Sequence, residues 1–249
     1  PLNLTAHKIA PAIAAGCPFV LKPPSLTPIS ALKIAEILAE TDLPQGAFSV
    51  LPCPRELADL LVTDERFKLL SFTGSDAVGW DMKARAGRKK VVLELGGNAA
   101  VMIEPDTEIN DALINRLIGG AYNHAGQVCI SVQRILVHQQ IYTEVKDKLL
   151  AKLKTIKATD PNLSTTLVGP MIKEDEAKRL KKWLDKAVKK DAKILIGGEL
   201  NGVMFAPTLL ENVDHSLEIY RDEAFGPVAI LEAYADFESG IACINRSRF

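Results

Sequence analysis

Short apolar runs alternate with amphipathic helical stretches along this chain, and the alternation strongly constrains its fold. Runs such as Phe19–Leu21 and Val91–Leu93 have the length and composition of buried strands. The stretch 28–39 places apolar side chains three or four positions apart, on about one face of a helix. Because each helix returns the chain to the edge where the next strand begins, such strands pair mostly in parallel. The pattern therefore predicts an α/β fold.

Turn residues set the predicted limits of these elements. We expect Thr27 to cap the first of these helices with Pro28 at its first position, and Ser75 to begin another. The paired glycines at 96–97 predict a domain boundary, giving domains 1–97 and 98–249. Strands are predicted at Phe19–Leu21, Ala47–Leu51, Lys68–Phe72, Val91–Leu93, Ala100–Ile103, Arg134–His138, Ile194–Ile196 and Val228–Leu231.

Charge and composition exclude several classes of partner. The 249 residues contain 30 Lys and Arg against 31 Asp and Glu, so the net charge does not indicate a polyanionic partner. The basic run 178–190 has no interleaved aromatic residues to stack on bases, and it is interpreted as a solvated helix face. The longest apolar stretches carry Lys or Pro and are too short to span a bilayer. We therefore expect neither a nucleic-acid partner nor a membrane.

The four cysteines are scattered, without a CxxC pair or a Cys/His cluster at metal-ligand spacing. This distribution predicts no disulfide framework and no metal site, and it favours a reducing, cytoplasmic setting. The chain begins Pro1-Leu2-Asn3 without a starting Met and ends as abruptly at Phe249. It is therefore interpreted as a fragment of a longer polypeptide.

Glu94 and Cys129 are the strongest candidates for chemistry. Glu94 ends a predicted strand before two glycines that leave room for a ligand, and Cys129 follows Gly126 where a helical pattern gives way to a strand. A base and a thiol are what covalent attack on a carbonyl requires. Taken singly, Cys129 is more typical of a small buried hydrophobe and Glu94 of a surface carboxylate. Glu94 is also predicted on the same sheet edge as Lys22 and Gly74, and together with Cys129 it favours a site.

Two further positions suggest an anion or sugar ligand. Gly74 and Ser75 join a predicted strand to a helix, whose free N–H groups bind phosphate. Read alone, Ser75 is more often a plain helix cap. Lys22 ends the first strand, where ligands bind in open α/β sheets, so its ammonium could hold a ribose or phosphate oxygen. The alternative, that Lys22 extends its ammonium into solvent, has equal weight.

Six stretches in order resemble the NAD(P)-dependent aldehyde dehydrogenase superfamily. They are Pro1-Leu2-Asn3-Leu4, Leu21-Lys22-Pro23, Phe72-Thr73-Gly74-Ser75, Glu94-Leu95-Gly96-Gly97, Gly126-Gln127-Val128-Cys129 and Glu223-Ala224-Phe225-Gly226-Pro227. The resemblance implies a partial Rossmann-type cofactor domain (1–97, its C-terminal part only) followed by an α/β catalytic domain (98–249, truncated at its C-terminus).

The resemblance also implies a role for each matching residue. Cys129 would attack the aldehyde, the Asn3 amide and the Cys129 N–H would form an oxyanion hole, and Glu94 would activate the hydrolytic water. The residues implied for NAD or NADP are Lys22 and Ser25 at the adenosine ribose, Gly74 and Ser75 at the pyrophosphate, and Glu223 and Phe225 at the nicotinamide riboside. Leu95 is implied as a further cofactor-binding residue. Ser25 stands where NAD-preferring members often have Glu, so we expect NADP to be accepted as well.

The predicted function is oxidation of an aldehyde to a carboxylic acid through a cysteine thiohemiacetal and thioester. The first stretch most resembles members that act on small polar aldehydes such as lactaldehyde and succinate semialdehyde. One alternative is a truncated, non-catalytic homologue that retains nucleotide or partner binding. Another is acylation of CoA, which Glu94 disfavours. The full-length protein is expected to form a homo-dimer or homo-tetramer, as the family does.

Overall fold

A computed structural model describes residues 2–249, so that Pro1 of the first motif lies outside it. The chain divides into two compact units, one ending at Leu95 and the other running from Gly96 to Phe249. The division falls two residues before the predicted boundary. Each unit is described below by itself.

The first unit alternates helices and strands as the sequence predicts. Its elements are α1 (Leu2–Ala14), β1 (Phe19–Leu21), α2 (Ile29–Ala39), β2 (Phe48–Val50), α3 (Arg55–Thr63), β3 (Leu69–Thr73), α4 (Asp76–Arg85) and β4 (Lys90–Glu94). β1 pairs with β2 and β3 with β4, both in parallel. The four predicted strands are confirmed, whereas α1 had no predicted counterpart.

The predicted N-cap of α2 is wrong by one residue. The helix begins at Ile29 with Pro28 as its N-cap, and no side chain caps it. Pro28 already has helical angles, with φ −76° and ψ −24°, so it occupies the capping position that the prediction gave to Thr27. Proline suits a helix start because it has no N–H that needs a partner.

The second unit is built on a five-stranded sheet in the order β5-β6-β11-β10-β7. All neighbours in it are parallel except β10 and β7. A separate antiparallel hairpin joins β8 and β9. The elements are β5 (Ala99–Ile103), α5 (Asp111–Tyr122), β6 (Val132–His138), α6 (Tyr142–Leu153), α7 (Glu174–Val188), β7 (Lys193–Ile196), β8 (Leu200–Asn201), β9 (Met204–Phe205), β10 (Thr208–Glu211), α8 (Glu218–Arg221), β11 (Val228–Tyr234) and α9 (Phe237–Ile244).

Two hydrophobic clusters sandwich this sheet. Leu209 belongs to the cluster with α5 and α6, and its neighbour Leu210 belongs to the cluster with α7 and α8. Successive residues of a strand point to opposite faces, so helices cover both faces of the sheet. The α/β prediction is confirmed, and burial on both faces explains why most side chains of these strands are apolar. Across residues 2–249, no helix has both the length and the apolar character needed to cross a bilayer.

Candidate active site

The carboxyl ends of β3 and β4 bring two predicted site residues together. Thr73 is in register with Glu94, and the Gly74 N–H donates to the Glu94 carbonyl at 3.1 Å. The Glu94 side chain is exposed at this edge. A Cβ on Gly74 would lie 2.5 Å from the Phe72 ring, so any larger residue here would require that ring to shift. The sheet edge therefore presents a carboxylate beside a glycine turn, as the sequence predicts.

Ser75 occupies the N-cap of α4, but its side chain makes no capping hydrogen bond. The interpretation of Ser75 as a plain capping residue is wrong in this respect. Its hydroxyl is exposed at the N-terminus of a ten-residue helix, where unsatisfied N–H groups carry positive potential. A hydroxyl that caps nothing is suited to donate to an anion there.

Lys22 and Ser25 lie together at the end of β1. The Lys22 ammonium donates to the Ser25 hydroxyl at 2.9 Å, and Lys22 is half-buried. Ser25 also lines a groove of about 280 Å³, and the other groove residues are Pro23, Pro24, Pro28, Pro52, Cys53 and Pro54. Rigid proline walls with one cation and one hydroxyl at the rim are suited to a small polar ligand.

Lys8 is a candidate residue that the sequence analysis missed. It is half-buried on α1, and its ammonium donates to the Ser71 hydroxyl on β3 at 3.0 Å. Burial lowers the pKa of Lys8, and the negative charge of Glu94 opposes that lowering. A cation thus lies within electrostatic range of the predicted base. No pattern in the sequence pairs Lys8 with Glu94, because only the packing of α1 on the β3–β4 pair does so.

Asn3 lies in the first turn of α1 and is exposed. Its predicted oxyanion-hole role pairs it with Cys129 of the second unit, and that role stays a prediction.

In the second unit, a left-handed turn precedes Cys129. His124, Ala125 and Gly126 have φ values of 52°, 56° and 66°. For the two residues with a Cβ this conformation costs roughly 1–2 kcal/mol each. Backbone strain of this kind persists only where surrounding contacts impose it, and it is concentrated at functional sites.

The Gln127 side chain supplies part of that constraint. Its carbonyl oxygen accepts from the Ile172 N–H at 2.8 Å, and its amide donates to the carbonyls of Pro170 and His124, each at 3.2 Å. The Ser131 hydroxyl donates to the Ala121 carbonyl at 3.2 Å on the far side of the cysteine. The loop around Cys129 is therefore fixed at both ends.

Close backbone approaches also hold this loop. A Cβ on Gly126 would lie 2.1 Å from the Gly226 carbonyl oxygen, and one on Gly97 would lie 2.8 Å from the Cys129 carbonyl oxygen. Only glycine allows these contacts. Three of the predicted motifs thus meet around Cys129.

The Cys129 thiol itself is exposed, so the interpretation as a small buried hydrophobe is wrong. Cys17 is also exposed, whereas Cys53 and Cys243 are partly buried. All four are free thiols. An exposed thiol just after a strained turn with fixed ends is suited to meet a ligand, because its loop is constrained on both sides.

Glu223 and Phe225 lie in a second irregular segment of this unit. The Glu223 carboxylate accepts from the Gly97 N–H at 3.1 Å. Phe225 is 39% exposed and has a φ of 46°, again left-handed without being glycine. The Arg179 guanidinium donates to the neighbouring Ala224 carbonyl at 2.7 Å. In residues 2–249 no three His, Cys, Asp or Glu side chains form a group that could hold a metal ion.

The sequence profile described as "Aldehyde dehydrogenase family" matches residues 1–249. The chain belongs to the aldehyde dehydrogenase family. It is 40% identical over 250 residues to 3-sulfolactaldehyde dehydrogenase of Priestia aryabhattai, covering 100% of this chain and 52% of that protein. This family assignment confirms the resemblance that the six motifs carry.

Solved structures of aldehyde dehydrogenases have the same fold. Aldehyde dehydrogenase 21 of Physcomitrella patens, in complex with the reaction product succinate, superposes with a TM-score of 0.95 at 51% identity, covering 98% of this chain and 51% of that one. Glyceraldehyde-3-phosphate dehydrogenase of Methanocaldococcus jannaschii, complexed with NADP, gives 0.93 at 37% identity, covering 99% and 55%. The chain therefore spans about half the length of the relatives it matches.

Proposed function

We propose that the protein carrying this chain oxidises an aldehyde to a carboxylic acid with NAD+ or NADP+. The observation that supports this best is the exposed Cys129 thiol on a strained turn that Gln127, Gly97 and Gly126 hold. Membership of the aldehyde dehydrogenase family supports the same reaction class.

In the proposed mechanism, the Cys129 thiolate attacks the aldehyde carbon and forms a thiohemiacetal. The Asn3 amide and the Cys129 N–H stabilise the negative oxygen. Loss of hydride from the same carbon restores a C=O bond and gives a thioester. Glu94 then takes a proton from water, whose oxygen attacks the thioester, releasing the acid and the free thiol. Overall, aldehyde, water and NAD(P)+ give acid, NAD(P)H and a proton.

The residues present fit a dinucleotide. We assign the adenosine ribose to Lys22 and Ser25, which are already hydrogen-bonded at the rim of the proline-lined groove. We assign the pyrophosphate to Gly74 and the uncapped Ser75 hydroxyl. Leu95, Glu223 and Phe225 are assigned to the nicotinamide half. A bound nicotinamide supplies the hydride acceptor, whereas these side chains bind and orient.

Ser25 supports acceptance of NADP as well as NAD. It is small, neutral and exposed, so it neither repels nor crowds a 2′-phosphate, and the Lys22 ammonium beside it favours a negative group. The Methanocaldococcus structure, which contains NADP, shows that relatives of this chain bind the phosphorylated cofactor.

For the substrate we propose a small polar aldehyde. Two relatives support this class, one named for 3-sulfolactaldehyde and one solved with succinate as reaction product. The free thiols fit the proposed cytoplasmic setting, since disulfides are rare in reducing compartments. Assembly into homo-dimers or homo-tetramers stays an expectation from the family.

The test uses the protein at its natural length, a panel of small polar and apolar aldehydes, and both cofactors. Cys129→Ala should lower aldehyde oxidation on the order of 10³-fold or more while NAD+ binding persists. Cys17→Ala is the matched control, because it removes the other exposed thiol, and it should leave the rate unchanged. Full activity in Cys129→Ala would refute the mechanism. Cofactor binding by the wild-type protein without oxidation of any aldehyde would favour the non-catalytic alternative.

A further inference from the structure

Two buried amide side chains grip the segment 219–224 of the second unit. Gln133, on β6, is 4% exposed. Its amide donates to the carbonyls of Ile219 and Asp222 at 3.0 and 2.8 Å, and its carbonyl oxygen accepts from the Ala224 N–H at 2.8 Å. All the bonds of this side chain thus go to one short stretch of backbone.

Asn98 grips the same stretch from the start of β5. It is 5% exposed, and its amide donates to the carbonyls of Tyr220 and Asp222 at 3.0 and 3.1 Å. The Asp222 carbonyl therefore accepts from both side chains. We call Asn98 and Gln133 together the amide clamp. A buried amide that loses its partners costs about 1–3 kcal/mol, so the clamp and the segment constrain each other.

The clamp brackets Glu223. Asp222 and Ala224, the residues on either side, each have a backbone group bonded to the clamp. The Glu223 carboxylate itself accepts from the N–H of Gly97, the residue before Asn98. The side chain of Glu223 is thus held by Gly97, and the backbone on either side of Glu223 is held by the clamp. Phe225 then turns away with a left-handed φ of 46°.

Termination of α8 alone does not explain this arrangement. The last carbonyls of a helix need partners, and Ile219 and Tyr220 belong to α8. However, Gln133 also bonds the Ala224 N–H, which lies beyond the helix, and both amides meet at Asp222, where the helix has already ended. These bonds fix the path of the chain through Glu223, which a helix end does not require.

We propose that Asn98 and Gln133 are positioning residues for Glu223, and that they set the affinity for the nicotinamide-ribose half of the cofactor. The proposal rests on the proposed function in that Glu223 is taken as a cofactor ligand. The clamp belongs to the second unit, whereas Lys22, Ser25 and Ser75, which are assigned to the adenosine ribose and the pyrophosphate of the cofactor, belong to the first. It therefore affects one half of the dinucleotide and leaves the adenosine half unaltered.

The experiment compares Gln133→Met with wild type at natural length, since Met keeps the volume of the side chain and removes its hydrogen bonds. Equilibrium binding is measured with NAD+, which engages both halves of the site, and with AMP, which engages the adenosine half alone. Hydrogen exchange is followed in the peptide covering 219–225. We expect the Kd for NAD+ to rise at least about fivefold, the Kd for AMP to stay within about twofold, and exchange in this peptide to accelerate.

Tyr234→Phe is the matched control. It removes buried hydrogen bonds, one of 2.9 Å to the Ile103 carbonyl, in another part of the same unit. It should lower the thermal midpoint about as much as Gln133→Met and leave the NAD+ to AMP affinity ratio at the wild-type value. Asn98→Ser provides a second clamp variant if Gln133→Met does not fold, and the same shift in the ratio is expected.

Three outcomes would overturn the proposal. An equal loss of affinity for NAD+ and for AMP would show that the clamp has only a general structural role. Unchanged exchange in 219–225 would show that the amides do not hold the segment. An unchanged affinity ratio with faster exchange would show that Glu223 needs no such support. Wild-type protein that binds neither NAD+ nor AMP would instead refute the proposed function, and exchange alone would then decide whether the clamp exists.

Discussion

The Gly97 N–H donates a hydrogen bond of 3.1 Å to the Glu223 carboxylate, although 126 positions separate the two residues. A Cβ on Gly96 would lie 2.3 Å from the same carboxylate, so both paired glycines accommodate Glu223. From the sequence, these glycines were expected to clear space for a ligand beside Glu94. In the structure they allow Glu223 and the Cys129 backbone to approach, which links two motifs that the sequence presents as separate.

Gly126→Ala should be far more destabilising than Gly202→Ala. Both glycines are left-handed, with φ of 66° and 60°, but a Cβ would meet the Gly226 carbonyl at 2.1 Å in the first case and nothing within 4 Å in the second. The expected loss in free energy of unfolding is roughly 2–5 kcal/mol for Gly126→Ala and about 1–2 kcal/mol for Gly202→Ala. Urea unfolding measures both. Equal losses would mean that the close approach is absent.

Lys8→Gln should slow aldehyde oxidation roughly tenfold, because it removes a half-buried cation whose pKa responds to the charge of Glu94. We infer that this cation serves the proposed base, so alkylation of Cys129 should stay unchanged. Lys33→Gln is the control, since Lys33 is exposed on α2 and pairs only with Glu36. Steady-state kcat and iodoacetamide modification of the Cys129 peptide measure the two effects. A parallel fall in both would place Lys8 in general folding instead.

The lowered pKa of Lys8 predicts that kcat depends on pH. Burial lowers the pKa of Lys8, so its charge is present below that pKa and is lost, as pH rises, before the charge of an ordinary lysine. Wild-type kcat should therefore decline at alkaline pH, and Lys8→Gln should lack this decline. A pH–rate profile that is the same in both proteins would contradict the assignment.

The cysteines should differ in their rates of alkylation. Burial and the neighbouring Glu232 raise the pKa of Cys243, whose thiol lies 3.7 Å from that carboxylate, so less thiolate is present at neutral pH. Iodoacetamide at pH 7.5 should modify the exposed Cys17 and Cys129 first. Cys243 should become reactive only as the pH rises above 9. Peptide mass spectrometry at several pH values gives the order, and early modification of Cys243 would be inconsistent with its packing.

Ser25→Glu should shift the cofactor preference of the protein toward NAD+. A carboxylate at this position would repel the 2′-phosphate and pair with Lys22, so the KM for NADP+ should rise about tenfold or more and the KM for NAD+ by less than about threefold. Gln45→Glu adds the same charge at an exposed loop and should alter neither. Initial rates with both cofactors decide the matter. A wild-type preference for NAD+ of at least a hundredfold would already refute the role of Ser25.

Local sequence patterns predicted the strands and helices of the site better than the contacts between residues distant in sequence. β1 and β4 end where the sequence predicts, at Leu21 and Glu94, because apolar runs closed by Lys-Pro or Gly-Gly are unambiguous. The strands β8 and β9 were missed because two residues show no periodicity, and β10 had no predicted counterpart either. The Thr27 cap was wrong because Pro28 and Thr27 compete for one position, and the local sequence does not decide between them.

The sequence by itself determined the family and the alternation of strands and helices, and it predicted which thiol and carboxylate carry the proposed chemistry, because these depend on short-range periodicity and on motifs that are contiguous along the chain. Only the tertiary structure decided that the charge of Glu94 influences Lys8, that Gln127 holds the loop before Cys129 and that Asn98 and Gln133 bond the backbone on either side of Glu223. Those relationships join residues tens to more than a hundred positions apart. They arise because buried amides and charges must find partners, and packing alone determines which partners are within reach.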